Sequence, residues 1–155
     1  MTDDAVLQLV QDTFKMPRPA NFTDHGCCSE CAEHDQTLQA HTLDSLGYAE
    51  VGSAAWNPIT MCQPDAFAYW MPALGRIVLE PEDPYWGWYG EQFFRNELCW
   101  DGPRNARWAY CTPAQRRTVA ALIEHVVDPR SELIAKYDME YEMLRALEVW
   151  WDAGD

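Results

Sequence analysis

Val6, Leu7, Val10 and Phe14 recur at the three- and four-residue spacing that lines one face of a helix. Thr2 stands ahead of them as an N-cap, and Pro17 and Pro19 end the pattern, so a first helix is predicted over about residues 3–15. After the proline link, Thr23 or Asp24 caps a segment that keeps helix-tolerant residues, Gly26 apart, to about residue 41. Residues 42–58, with Gly47, Gly52 and Pro58, read as a connection holding at most a helical turn. Ile59-Thr60-Met61-Cys62 has the β-branched, apolar character of a short buried strand, so a small sheet is expected there.

From Pro64, Phe67, Trp70, Leu74 and Ile77 fall on one side of a helix running to Leu79, with a kink expected at Pro72. A second proline-broken loop, Pro81 to Pro84, carrying Glu80, Glu82 and Asp83, leads through the aromatic run Tyr85–Tyr89 into a helix expected to end near Asp101-Gly102 and to turn Phe93, Phe94 and Leu98 inward. Thr112-Pro113-Ala114-Gln115 is the clearest helix start: a hydroxyl N-cap, proline at the first position, and a glutamine that returns a hydrogen bond. Val119, Leu122, Ile123, Val126 and Val127 form the stripe behind it, and Asp128-Pro129 breaks it. Ser131 opens another helix through Leu133, Ile134 and Tyr137, and Met143, Leu144, Leu147 and Trp151 continue helical spacing. The pattern predicts one compact, mainly α domain over residues 1–155, α+β with at most a small sheet, with a Cys/His-containing segment at residues 23–41.

Composition supports a folded chain: of 155 residues, 48% are apolar, and 8 Trp, 7 Tyr and 5 Phe supply the bulk that offsets chain entropy. Charge narrows the partners. With 25 acidic against 11 basic residues, the net charge of -14 repels phosphate backbones and anionic lipid, which argues against nucleic-acid or membrane binding and for a basic protein partner. The N-terminal residues lack the basic and long apolar regions of a signal peptide, and no apolar run approaches bilayer length, so a cytoplasmic protein is expected. The oligomeric state is not legible. Six cysteines admit 15 pairings, but without a sign of secretion reduced thiols are the default.

The densest chemistry is His25-Gly26-Cys27-Cys28-Ser29-Glu30-Cys31-Ala32-Glu33-His34-Asp35. On a continuous helix Cys27, Cys31 and His34 share a face. If the first part is a loop, Cys28 and Cys31 have the two-residue spacing that turns both thiolates onto one ion, with His34 as a further ligand. Cys27, Cys28, Cys31 and His34 are therefore the candidate metal ligands. Thiolates and imidazole select zinc over magnesium or calcium, and Asp35 is placed to orient the imidazole. Zinc fingers and ribbons use a distant second pair, whereas only single cysteines follow at 62, 99 and 111. Any one of them could close the site, although their apolar neighbours read as packing surroundings. Two other readings of the cluster stand: core packing, and a redox pair at Cys28/Cys31. The redox pair is disfavoured because no strand precedes the motif.

Catalytic templates are missing: there is no GxSxG, no Gly-rich phosphate loop and no HExxH. Glu30 and Glu33 suit a solvated helix face as well as a base. No catalytic residue is assigned, and the reading leans away from an enzyme. Acidity is concentrated between Glu30 and Asp101, with twelve acidic residues against two arginines, while Arg104, Arg107, Arg116 and Arg117 fall in a stretch without acids. Glu80, Glu82 and Asp83 beside Trp86 and Trp88 are the candidate partner-binding patch, the acids steering a basic protein and the rings anchoring it.

Arg18-Pro19-Ala20-Asn21-Phe22-Thr23, Cys28-Ser29-Glu30-Cys31-Ala32-Glu33-His34-Asp35-Gln36-Thr37-Leu38, Trp56-Asn57-Pro58-Ile59 and Ala66-Phe67-Ala68-Tyr69-Trp70-Met71-Pro72-Ala73-Leu74 together resemble an uncharacterised bacterial family of small cytosolic proteins. The resemblance spans about the first half of the chain. It implies a discrete domain and no site roles. The sequence thus reads as a small acidic binding or regulatory protein with a structural zinc site. The alternatives are an acidic inhibitor or immunity-type decoy and a metal- or thiol-dependent enzyme.

Overall fold

Residues 1–24, 26–99 and 105–151 are described by the structure, a computed structural model. In chain order the helices are α1 (Asp3–Thr13), α2 (Ser29–Gln39), α3 (Tyr48–Val51), α4 (Pro64–Leu79), α5 (Gly90–Gln92), α6 (Ala106–Tyr110), α7 (Pro113–Val127), α8 (Ser131–Lys136) and α9 (Glu140–Trp151). A 3₁₀ turn at Pro58–Met61 precedes α4, and a π-helical stretch at Phe93–Leu98 continues α5. The fold is mainly α. Among the described residues there is no strand, and no helix is long and apolar enough to cross a membrane.

Helix α4 carries the core. Phe67, Trp70, Met71, Leu74, Ile77 and Val78 are fully buried, and burial extends almost all round the helix rather than along the one face its spacing suggests. A helix apolar on every side is stable only when enclosed. α1 and α6 pack on α4, α7 joins α1 to α9, and α9 closes on the π-helical stretch. The helix continues through Pro72 to Leu79. The Thr112 hydroxyl accepts the Gln115 N–H, and the Gln115 side chain accepts the Thr112 N–H, so α7 begins where its capping sequence predicts.

Two expectations need correction. Ile59–Cys62 is not a strand: Pro58 presets helical φ, and the Asn57 side chain accepts the Ile59 N–H and caps a 3₁₀ turn. Only Cys62 stays extended, and the expected sheet reduces to one bridge between Thr23 and Cys62. The helix expected after the aromatic run starts at Gly90, and ahead of it Asp83 accepts the Tyr85 and Trp86 N–H groups and bridges to Gly87, closing a turn. Gly87 sits at φ +80°, and a Cβ there would meet the Tyr137 hydroxyl at 2.9 Å. The expected end of that helix, Asp101-Gly102, lies outside the described residues. On α9 the buried face is Met143, Ala146, Val149 and Trp150, whereas Leu144 and Trp151 are 60% and 62% exposed.

Candidate metal and thiol site

Helix α2 starts later than its composition suggests, and this creates the site. Asp24 accepts the Gly26 N–H through its carboxylate at 3.0 Å and the Cys27 N–H through its carbonyl at 3.1 Å, so the chain turns there instead of beginning a helix. Cys28 follows in extended conformation (φ -167°, ψ 173°) as the N-cap, its Sγ accepting the Cys31 N–H at 3.5 Å. A sulfur occupies the place usually taken by a serine or aspartate oxygen.

The segment before the turn is latched to α2. Buried Asp35 accepts the Phe22 N–H at 2.6 Å and the Thr23 N–H at 3.3 Å, and the Thr23 hydroxyl donates to the Cys31 carbonyl. Arg18 donates to the Leu38 and Gln39 carbonyls at the other end of α2, which carries no basic residue of its own in its last turn. Held in this way, the Sγ atoms of Cys27, Cys28 and Cys31 lie within 4.8 Å of one another, with Cys28 and Cys31 3.5 Å apart. Cys27 and Cys28 are exposed and Cys31 is buried. Such a group of sulfurs can bind a metal ion.

The electrostatics of the pair are unequal. The backbone N–H of Cys31 and then its thiol hydrogen-bond to Cys28 and pull the Cys28 thiol below its ordinary value. Through the same hydrogen bond, and through burial, the Cys31 thiol is pushed up to about 12. Of the two sulfurs, the exposed one at the helix N-terminus is thus the one that gives up its proton more readily.

His34, a ligand candidate by sequence, is not brought into this group. It lies one turn further along α2, buried under the Trp56 ring with centroids 4.4 Å apart, and its Nε2 faces Glu30 at 3.4 Å. The reason is the late helix start: Cys27 and Cys28 belong to the turn ahead of α2, so the sulfurs gather at its end instead of along the stripe that contains His34. The His34 Nδ1 is buried and has no hydrogen-bond partner among the described residues. His25 lies outside the described residues. Among those residues no fourth side chain joins the three sulfurs. Cys62 is buried, its thiol donating toward the Pro58 carbonyl, and Cys99 donates to the Glu142 carbonyl at 2.9 Å. Burial raises the Cys62 thiol, and raises those of Cys99 and Cys111 to about 11 and 12.

The five residues of the expected acidic–aromatic patch do not form one outward surface. Trp88 is 2% exposed, its indole N–H donating to the Val78 carbonyl at 3.4 Å and its ring packed against Phe94 and Tyr137. Trp86 is 37% exposed and lies over Gly52, where a Cβ would approach its ring within 2.5 Å. Glu80 pairs with Arg76 at 3.1 Å, Glu82 pairs with Lys136 at 2.8 Å and accepts the Tyr137 hydroxyl, and Asp83 holds its own turn. These acids are matched within the fold because the loop is folded back onto α4 and α8. Two of the arginines are also engaged: Arg107 pairs with fully buried Glu97 and donates to the Ile59 carbonyl, while Arg116 stacks on Trp108 at 3.7 Å. Arg104 lies outside the described residues.

Sequence reasoning did not anticipate the Glu97–Arg107 pair, which spans two elements and fastens the 3₁₀ turn through Thr60. Nor did it anticipate Asp3 bound to both His125 and Arg130. No spacing within one helix signals either contact. No protein-family model, curated protein or solved structure matches the chain.

Proposed function

We propose that this chain is a small binding or regulatory module in which Cys27, Cys28 and Cys31 hold one zinc ion as a structural clamp. The observation that carries the reading is the spacing of the sulfurs, all within 4.8 Å and 3.5 Å at the Cys28–Cys31 pair. With zinc–sulfur bonds of about 2.3 Å, a tetrahedral site sets its sulfurs roughly 3.8 Å apart, so the cluster needs only small adjustments to take the ion. Three soft donors select zinc over magnesium or calcium. The ion would fasten the turn at residues 24–28 to the first turn of α2, and the two exposed cysteines place it at the surface, where a partner can supply or sense the remaining coordination position.

Protein purified without chelator should carry close to one equivalent of zinc by elemental analysis. Cys28→Ser and Cys31→Ser should lose it, while Cys111→Ser, at a buried thiol outside the cluster, should keep it. Because the ligands bind as thiolates, affinity should weaken as pH falls. Metal-free wild type whose melting does not respond to added zinc overturns the reading.

A further inference from the structure

The same end of α2 is arranged for a second chemistry that needs no ion. Cys28 and Cys31 are separated by two residues at a helix start; one sulfur is exposed, the other is buried behind it, and they stand 3.5 Å apart. A disulfide bond is about 2.05 Å long, so closure calls for a side-chain movement of about 1.5 Å rather than a rearrangement of the backbone. The Cys31 N–H points at Cys28 Sγ, the sulfur that solvent can reach. The absence of a preceding strand, which disfavours this chemistry in the sequence, is not a physical obstacle: what the pair uses is the helix N-terminus, and Cys28 caps it.

We infer that Cys28 and Cys31 form a dithiol–disulfide pair that exchanges with low-molecular-weight disulfides, Cys28 as the attacking sulfur and Cys31 as the resolving one. In the first step the Cys28 thiolate attacks one sulfur of R–S–S–R. The Cys28–S bond forms as the S–S bond breaks, and the leaving thiolate takes a proton from water to become R–SH. In the second step Cys31 gives up its proton and its sulfur attacks Cys28 Sγ, displacing the second R–S⁻, which is protonated in turn. Two electrons pass from the cysteine pair to the external disulfide, giving a Cys28–Cys31 disulfide and two R–SH. Exposure selects Cys28 over Cys31 as the attacker. The buried Cys31 thiol, already within 3.5 Å, is placed to resolve the adduct before bulk thiols reach it.

If zinc is held as proposed above, oxidation removes two of its three thiolates and releases it; that consequence rests on the metal reading, and the exchange does not. The test treats the reduced full-length protein, as purified, with glutathione disulfide, follows intact mass and zinc release, and maps the linkage by digestion. Wild type should lose two hydrogens, retain no glutathione and show Cys28 linked to Cys31. Cys31→Ser should accumulate one glutathione on Cys28, and Cys28→Ser should react on the order of tenfold slower. A linkage through Cys27, an adduct on Cys27 in Cys31→Ser, or a wild type that keeps its glutathione or does not react overturns the inference. The wild-type map decides even if a variant fails to fold. A Cys28–Cys31 link in protein that never held zinc leaves the exchange standing and removes the metal reading. Zinc-bound protein that forms no link does the reverse.

Discussion

Replacing Asp35 with alanine should loosen the segment that presents the cysteines, by an amount set by two hydrogen bonds. Asp35 Oδ1 accepts the backbone N–H groups of Phe22 at 2.6 Å and Thr23 at 3.3 Å, and all three residues are buried. Truncation leaves two buried donors without that acceptor. Each such loss costs about 1–3 kcal/mol, so Asp35→Ala should destabilise the protein by about 2–6 kcal/mol. Asp35→Asn keeps an acceptor oxygen at the same place without its charge, and should cost about 1–2 kcal/mol. Urea unfolding followed by tryptophan fluorescence reads both values, with an unchanged slope showing that the folded state is still compact. Cys31 should become more reactive to a thiol label in the alanine variant, because the segment whose Thr23 hydroxyl bonds the Cys31 carbonyl is released. An alanine variant within about 0.5 kcal/mol of wild type, with Cys31 still protected, would refute the argument that Asp35 holds the segment in place.

Leu122→Ala on α7 should cost about 2–5 kcal/mol in the same assay, since its side chain is fully buried, whereas Thr112→Ala should cost only about 1 kcal/mol through the lost cap; a reversed order would mean that the face is not core. The Asp3 carboxyl is held below its ordinary value of 3.8, first by its hydrogen bond to Arg130 and also by His125. A depressed carboxylate contributes stability above that value and loses it as pH falls through its folded value, so the gap between wild type and Asp3→Asn should narrow from pH 7 to pH 3. Denaturation curves at the two pH values check this, and a gap that stays constant or widens contradicts it. The effect should be modest, because the Asp3 side chain is half exposed.

What the sequence determined by itself is what local interactions decide. The starts of α1 and α7 are written in Thr2 and in Thr112-Pro113-Gln115, because a cap is made within three residues of the helix it begins. The apolar mass of α4 announces a buried helix, and the spacing of Cys28 and Cys31 announces two sulfurs that can meet, since two intervening residues fix their reach at a helix start. The surroundings of each side chain were decided only by the tertiary structure. His34 left the cysteine group because α2 starts at Ser29 and Trp56 packs over the imidazole. Trp88 went inside because Val78, Phe94 and Tyr137 receive it, and Glu80 and Glu82 found their charges answered by Arg76 and Lys136. Leu144 and Trp151 stayed outside because α9 turned another face to the core. Spacing along a chain tells which residues share a helix face, but which face is covered, and which charge is paired, depends on elements that close over it from far away in sequence.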